Sequence, residues 1–346
     1  MFSPLDSYNN QEHNMSKISK TLLGITLSAA MFGASPAWAA DPVKLSIASF
    51  SPKSSWFAYS TRLSEMLRET LPEGSVVDAP PKGGGTANPS LLAAGKFDVG
   101  FVMTSVAGWA KNGEVAYAKP LDNLRSLVGG FDQYYLAVVA RKDPNDASLP
   151  AYVAAHKDMK VVLRGKGSIG GLAGEQLLDL SGASEKEVTA AGGRYDKVGS
   201  FGVVKTALAT GKSDLWIHTI TRGHPALTEI AIGTPLSYLQ PADDVLETME
   251  TQGWTTAVLP ANSFEGQAKD VKYPGTTTSL FATTALSDDV AYTIVKTICE
   301  DQDRFKAVHK ALAKFDCATQ GWKAENLSLP LHDGAKRYFV EKGWMK

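Results

Sequence analysis

The chain has 346 residues, 44% of them hydrophobic, and its 35 Lys and Arg nearly balance its 36 Asp and Glu, for a net charge of −1. That length and hydrophobic share allow sizeable cores arranged as two lobes. The even charge, with no basic run, excludes nucleic acid and an anionic membrane surface as expected partners.

At the N-terminus, Met15 is followed by Lys17 and Lys20, an apolar run over 22–32 and the small-residue site Ala37-Trp38-Ala39. A basic start, an apolar centre and an A-x-A end make a secretory signal peptide. Residues 1–39 are therefore expected to be removed and the remainder to work in the periplasm. Residues 1–14 are polar and read as an extension ahead of the true start. No second apolar stretch is long enough to span a membrane, so the processed chain is expected to be soluble.

Strand and helix signals then alternate. A strand is expected at 44–49, a helix at 55–71 capped by Ser54 or Ser55, and a strand into a turn at 74–81. A short helix at 88–97, a buried strand at 98–103 and two strands within 125–143 follow. A second unit repeats the rhythm, with strand and loop at 160–168, helices at 172–182 and 200–214, and strands at 215–220 and 279–286. Helices finish the chain. Such alternation implies α/β layers with mostly parallel sheets. The segments LLAAGKFDVGFVM (91–103) and ALATGKSDLWIHT (207–219) share one pattern, in which Gly ends a helix and Asp opens a strand. Asp98 and Asp214 are accordingly expected to be structural.

Two cysteines, Cys299 and Cys317, follow the signal segment. An oxidising compartment suggests a disulfide. The helical pattern argues against one: Cys299 ends one expected helix and Cys317 follows the next, at 303–315. Run back antiparallel at 1.5 Å per residue, the two would stand roughly 20 Å apart, whereas a bridge needs Cα atoms within about 7 Å.

Gly165, Gly167 and Gly170 form a G-x-G-x-x-G between an apolar run (161–163) and a helical one (172–180). Strand, glycine turn and helix in that order hold a dinucleotide pyrophosphate or another anion. Alone the motif is weak, and a nicotinamide cofactor is scarce outside the inner membrane. There is no HExxH, CxxC pair or G-x-S-x-G, so no metal, cofactor or hydrolytic centre is expected.

The C-terminal LSLPLHDGAKRYFVEKGW (327–344) resembles the A-P-L-H-x-G-A-x-R-Y-Y-x-E-K-G ending of TRAP-transporter solute receptors of the TAXI family. ANPSLLAAGKFDVGFVMTS (87–105) and ALATGKSDLWIHTITRGHP (207–225) are similar to two further segments of that family. The resemblance implies a two-lobed, Venus-flytrap periplasmic binding protein, type II-like, with lobe I at 40–136 plus 280–346 and lobe II at 137–279. It departs from the family in several places. The family's aromatic pair is Trp56-Phe57, its Q-S-D is Met103-Thr104-Ser105, and its G-G-S-V-E-N is Gly83-Gly84-Gly85-Thr86-Ala87-Asn88. Two acids are thereby absent, while Arg164 and Lys166 flank the glycine loop.

A ligand cleft is expected between loops of both lobes. Lobe I would contribute Ser54, Ser55, Trp56, Gly85, Thr86, Asn88, Thr104 and Ser105. Lobe II would contribute Arg164, Gly167, Ser168, Ile169, Gly170, His218 and Thr219. Lost acids and added cations point to an oxo, hydroxy or dicarboxylic acid as ligand. The expected role is a monomeric receptor, not an enzyme, that closes on a small carboxylate and delivers it to a TRAP-type membrane permease. The alternatives are a glutamate-like amino-acid receptor of the same family, or a periplasmic enzyme acting on a small acid.

Overall fold

The computed structural model describes residues 41–346 apart from 53, 143–147 and 166. The expected signal segment and Lys166 lie outside the described residues. The chain begins with β1 (Lys44–Ala48), α1 (Ser55–Thr70), β2 (Val76–Asp78), α2 (Ala87–Ala93), β3 (Val99–Met103), α3 (Thr104–Asn112) and β4 (Leu124–Val128). β1 pairs in parallel with β2 and β3. α1 packs beside this sheet through Tyr59, Leu63, Met66 and Leu67, a stripe at i, i+4, i+7 and i+8. Its start is fixed by Ser54, whose Oγ accepts from the Phe57 N–H at 3.1 Å.

Next come β5 (Gln133–Arg141), α4 (Leu149–Ala155), β6 (Lys160–Arg164), α5 (Ile169–Leu180), α6 (Glu185–Ala190), β7 (Arg194–Val198), α7 (Phe201–Ala209) and β8 (Leu215–Ile220). α8 (Pro225–Gly233), β9 (Leu236–Tyr238), α9 (Asp243–Glu250) and β10 (Thr255–Leu259) complete this part. β6 lies between β7 and β8, parallel to both. Asp98 accepts from the Ser46 N–H and Oγ at 2.7 and 2.8 Å, and Asp214 from the Lys160 N–H at 3.1 Å. Each acid thus ties its strand to a neighbouring one.

The long strand β11 (Val271–Thr283) joins the two groups of strands. Its first part pairs with β10 and, over Gly275–Thr277, with β5. Its second part pairs with β3 over Thr278–Ala282 and with β4. All four pairings are antiparallel, as are those of β5 with β8 and β9. The sheet is therefore mixed, where mostly parallel strands were expected. The chain leaves along β5 and returns along β11, and adjacent leaving and returning strands must oppose each other. β11 also begins before the expected residue 279. Pro274 and Gly275 read as breakers, yet both are buried in the strand, where a side chain on Gly275 would crowd Ala257.

At the C-terminus α10 (Asp288–Glu300) is followed by α11 (Gln302–Lys306), α12 (Cys317–Gln320) and α13 (Asp333–Glu341). Cys299 and Cys317 are disulfide-bonded, with Cα atoms 5.4 Å apart, which corrects the expectation of two free thiols. The helix expected at 303–315 does not form. α11 stops at Lys306, and His309 turns extended, its Nδ1 accepting from the Ala311 N–H at 3.1 Å. A short 3-10 turn at Lys310–Leu312 then brings the chain back to α10.

Candidate functional site

β6 ends at Arg164 and the glycine loop leads into α5. Ser168 is the N-cap, its Oγ accepting from the Gly171 N–H at 3.3 Å. A side chain on Gly171 would overlap the Arg164 carbonyl, so glycine lets the helix start on the strand end. Ile169 and Gly170, in the first turn of α5, open on a cleft of about 760 Å³. N–H groups in a first turn have no intrahelical partner and suit an anion.

The cleft brings together Ser54, Ser55, Trp56 and Gly85 with Arg164, Gly167, Ser168, Ile169, Gly170, His218 and Thr219. Segments far apart in sequence approach closely here: a Cβ built on Gly85 would stand 3.1 Å from the Gly167 carbonyl oxygen. The Trp56 indole N–H donates to Thr278 Oγ1 at 3.0 Å, which fixes the ring and leaves its carbon surface for the cleft wall.

The other expected residues sit elsewhere. Asn88 is fully buried under the loop before α2, where its Oδ1 accepts from the Gly84 N–H at 2.6 Å. Its Nδ2 donates to the carbonyls of Ser49 and Phe101 at 3.1 and 2.8 Å. Thr104 and Ser105 form the first turn of α3 and are fully buried. Thr104 Oγ1 lies 3.0 Å from Thr276 Oγ1 and accepts from the Thr277 N–H at 3.2 Å. No loop intervenes between β3 and α3, so the Thr104 hydroxyl and the Ser105 N–H meet Thr276 of β11, and Met103 reaches the cleft instead. Thr86 precedes α2, and its carbonyl accepts from the Tyr117 hydroxyl at 2.7 Å.

Phe50, Met103, Tyr134, Val198, Phe201 and His224 also line the cleft and were not anticipated. A signal existed for two of them. Val198-Gly-Ser-Phe201 repeats the strand, glycine, serine-cap and helix order of the first loop, and α7 is capped by Ser200 as α5 is by Ser168. Tyr134 belongs to β5, and its neighbours Gln133 and Tyr135 line a second cavity, of about 810 Å³, on the other face of that strand. That second cavity carries both Lys111 and the acids Glu250 and Glu325.

The first cleft has no such balance. Among the described residues lining it, Arg164 is the one charged side chain, and no Asp or Glu takes part. The guanidinium lies over the Phe201 ring, 4.6 Å from its centre, and Nη1 is buried without a hydrogen-bond partner among the described residues. His218 and His224 are ring neighbours of Phe201, each with Nδ1 unpartnered among the described residues. Burial pulls His218 down to about 3, helped by His224 and Arg164, and burial alone pulls His224 down to about 4. Both rings are therefore neutral at pH 7. Behind the cleft, Asp132 accepts from the Thr278 N–H at 2.9 Å and from the Tyr59 hydroxyl at 3.1 Å. Burial pushes this carboxyl up to about 6.

A profile of the NMT1-like family matches residues 47–343. Among solved structures, a TctC solute-binding protein from Polaromonas is similar at 13% identity and a TM-score of 0.52, over 89% of this chain and 96% of that one. PhnD1 from Prochlorococcus marinus, in complex with methylphosphonate, is similar at 12% identity and a TM-score of 0.50, over 87% and 97%. The fold is thus the α/β periplasmic-binding-protein fold, a mixed sheet flanked by helices, as in two-lobed solute-binding proteins. The similar protein from Polaromonas is a solute-binding protein.

Proposed function

The chain belongs to the NMT1-like family, and on that premise we propose that it is an extracytoplasmic receptor that captures a small organic anion between two lobes. Charge carries this reading: the cleft holds a guanidinium whose Nη1 has no hydrogen-bond partner among the described residues, and no described acid lines it. A carboxylate accepts the guanidinium fork bidentately and suits the first turns of α5 and α7. A free amino acid would need an acceptor for its ammonium group, so the glutamate-like reading ranks second.

In this proposal residues 40–136 with 280–346 make one lobe and 137–279 the other, hinged where β5 and β11 run side by side. Contacts from both lobes exist only when they are closed, so ligand shifts the population toward closure. The nearness of Gly85 to Gly167 supports such an arrangement. Delivery to a TRAP-type permease, with membership of the TAXI group, rests on the C-terminal motif. There His332 accepts from the Gly334 N–H at 3.3 Å and meets the Leu286 carbonyl at 3.0 Å, a role within the fold. Secretion rests on the signal segment, and sequencing of periplasmic protein is expected to begin at Ala40 or Asp41.

Native mass spectrometry of protein purified without refolding tests the anion directly. A thermal-shift screen of organic acids, with methylphosphonate and NAD alongside, extends it. At a hundredfold excess over Kd a ligand adds about 2.7 kcal/mol of stability. A shift with NAD and with no acid would overturn the proposal.

A further inference from the structure

Resting on that receptor reading, we infer that the cleft selects a monocarboxylate with an apolar body, a ring or a branched chain, over a dicarboxylate. The first observation is the count of charges. Arg164 can compensate one carboxylate, and no second cation among the described residues lines the cleft. Among those residues a second buried carboxylate would find no counter-charge, and an uncompensated buried ion is strongly unfavourable.

The second observation is the wall. Trp56, Met103, Ile169, Val198 and Phe201 face the cleft, and Phe50, 44% exposed, stands at its rim. The indole N–H of Trp56 is already committed to Thr278. These side chains offer a ligand apolar contact area, alongside the hydroxyl-bearing Ser54, Ser55, Tyr134, Ser168 and Thr219. His218 and His224 add polarity without charge, since burial keeps both neutral at pH 7.

Isothermal titration of the purified protein separates the cases. The probes are 4-methyl-2-oxopentanoate and 3-phenylpropanoate against 2-oxoglutarate and glutarate. The monoacids are expected to bind about tenfold tighter or better, which is about 1.4 kcal/mol. Phe50→Lys adds a cation at the exposed rim and is expected to narrow that preference at least about threefold. Equal or tighter binding of the diacids by the native protein would overturn this inference and leave the anion receptor standing. Silence toward every acid, on folded protein, would overturn both.

Discussion

Gly170 lies flat against the imidazole of His218, and a methyl group built on it would overlap Nδ1 and the Thr219 N–H. α5 thus starts within van der Waals reach of β8, and the cleft floor is set by that contact. Gly170→Ala is expected to push the helix start outward, costing about 1–3 kcal/mol as overpacking does, and to weaken ligand binding. Gly233→Ala, with nothing nearby and no positive φ, is the control and should leave stability within about 0.5 kcal/mol. Urea unfolding of the two variants checks the contrast.

Asn88 joins three backbone groups from different segments. Asn88→Ala leaves the Gly84 N–H and two carbonyls without it, at a cost of about 1–3 kcal/mol for a buried polar group left unmade. The expected readout is a lower urea midpoint. Unchanged stability with lost affinity would instead return Asn88 to the role of ligand contact.

The loop at Ser168–Gly170 was legible because its sequence has a local cause: a strand end, a capping serine and glycines that allow close approach. Phe201 was less so, since only the Gly-Ser cap before it repeats that cause. Thr104 misled because hydroxyls at a strand end resemble cleft residues, and nothing local says that α3 starts at once and turns them toward β11. The stretch around Pro274 misled in the opposite sense, for its strand is imposed by partners on both sides. Residues 303–315 carry a helical apolar spacing that His309 ends by capping a tighter turn, so the disulfide was illegible. Local chemistry could be read from the chain, whereas long-range pairing could not.

The disulfide closes a loop with a sequence separation of 18 residues. A loop of this size is worth about 3 kcal/mol through restriction of the unfolded chain. Reduction under conditions where the thiols are accessible, or Cys299→Ser with Cys317→Ser, is expected to lower Tm by several degrees. Scanning calorimetry with and without reductant measures it.

Acid stability follows from three buried groups. Folded His218 and His224 titrate at about 3 and about 4, below the ordinary 6.5. The unfolded chain therefore takes up protons first as pH falls. Stability from these rings is fully present above about pH 6.5 and is lost on the way down to pH 4, at about 1.4 kcal/mol per pH unit per ring. Asp132 opposes this loss. Its folded carboxyl, held up at about 6 against 3.8, keeps a proton that the unfolded chain releases, so its contribution grows as pH falls from 6 to 3.8. The net expectation is a decline between pH 6.5 and 4. It should be shallower in His218→Gln and steeper in Asp132→Asn, as read by urea unfolding across that range.

Arg164 separates ligand binding from stability most cleanly. Its guanidinium stacks on Phe201, and Nη1 has no hydrogen-bond partner among the described residues. Removing it should therefore cost the free protein little beyond the stacking, about 0.5–1 kcal/mol. The ligand would lose a buried charge partner, which weakens binding by about 2–5 kcal/mol. Arg164→Lys keeps the charge but not the planar fork and should fall between native protein and Arg164→Ala. Titration calorimetry with the best acid, beside urea unfolding of the unliganded variants, gives both numbers. Native-like affinity in Arg164→Ala would move the anion away from this loop. A large loss of stability without ligand would make the guanidinium part of the scaffold instead.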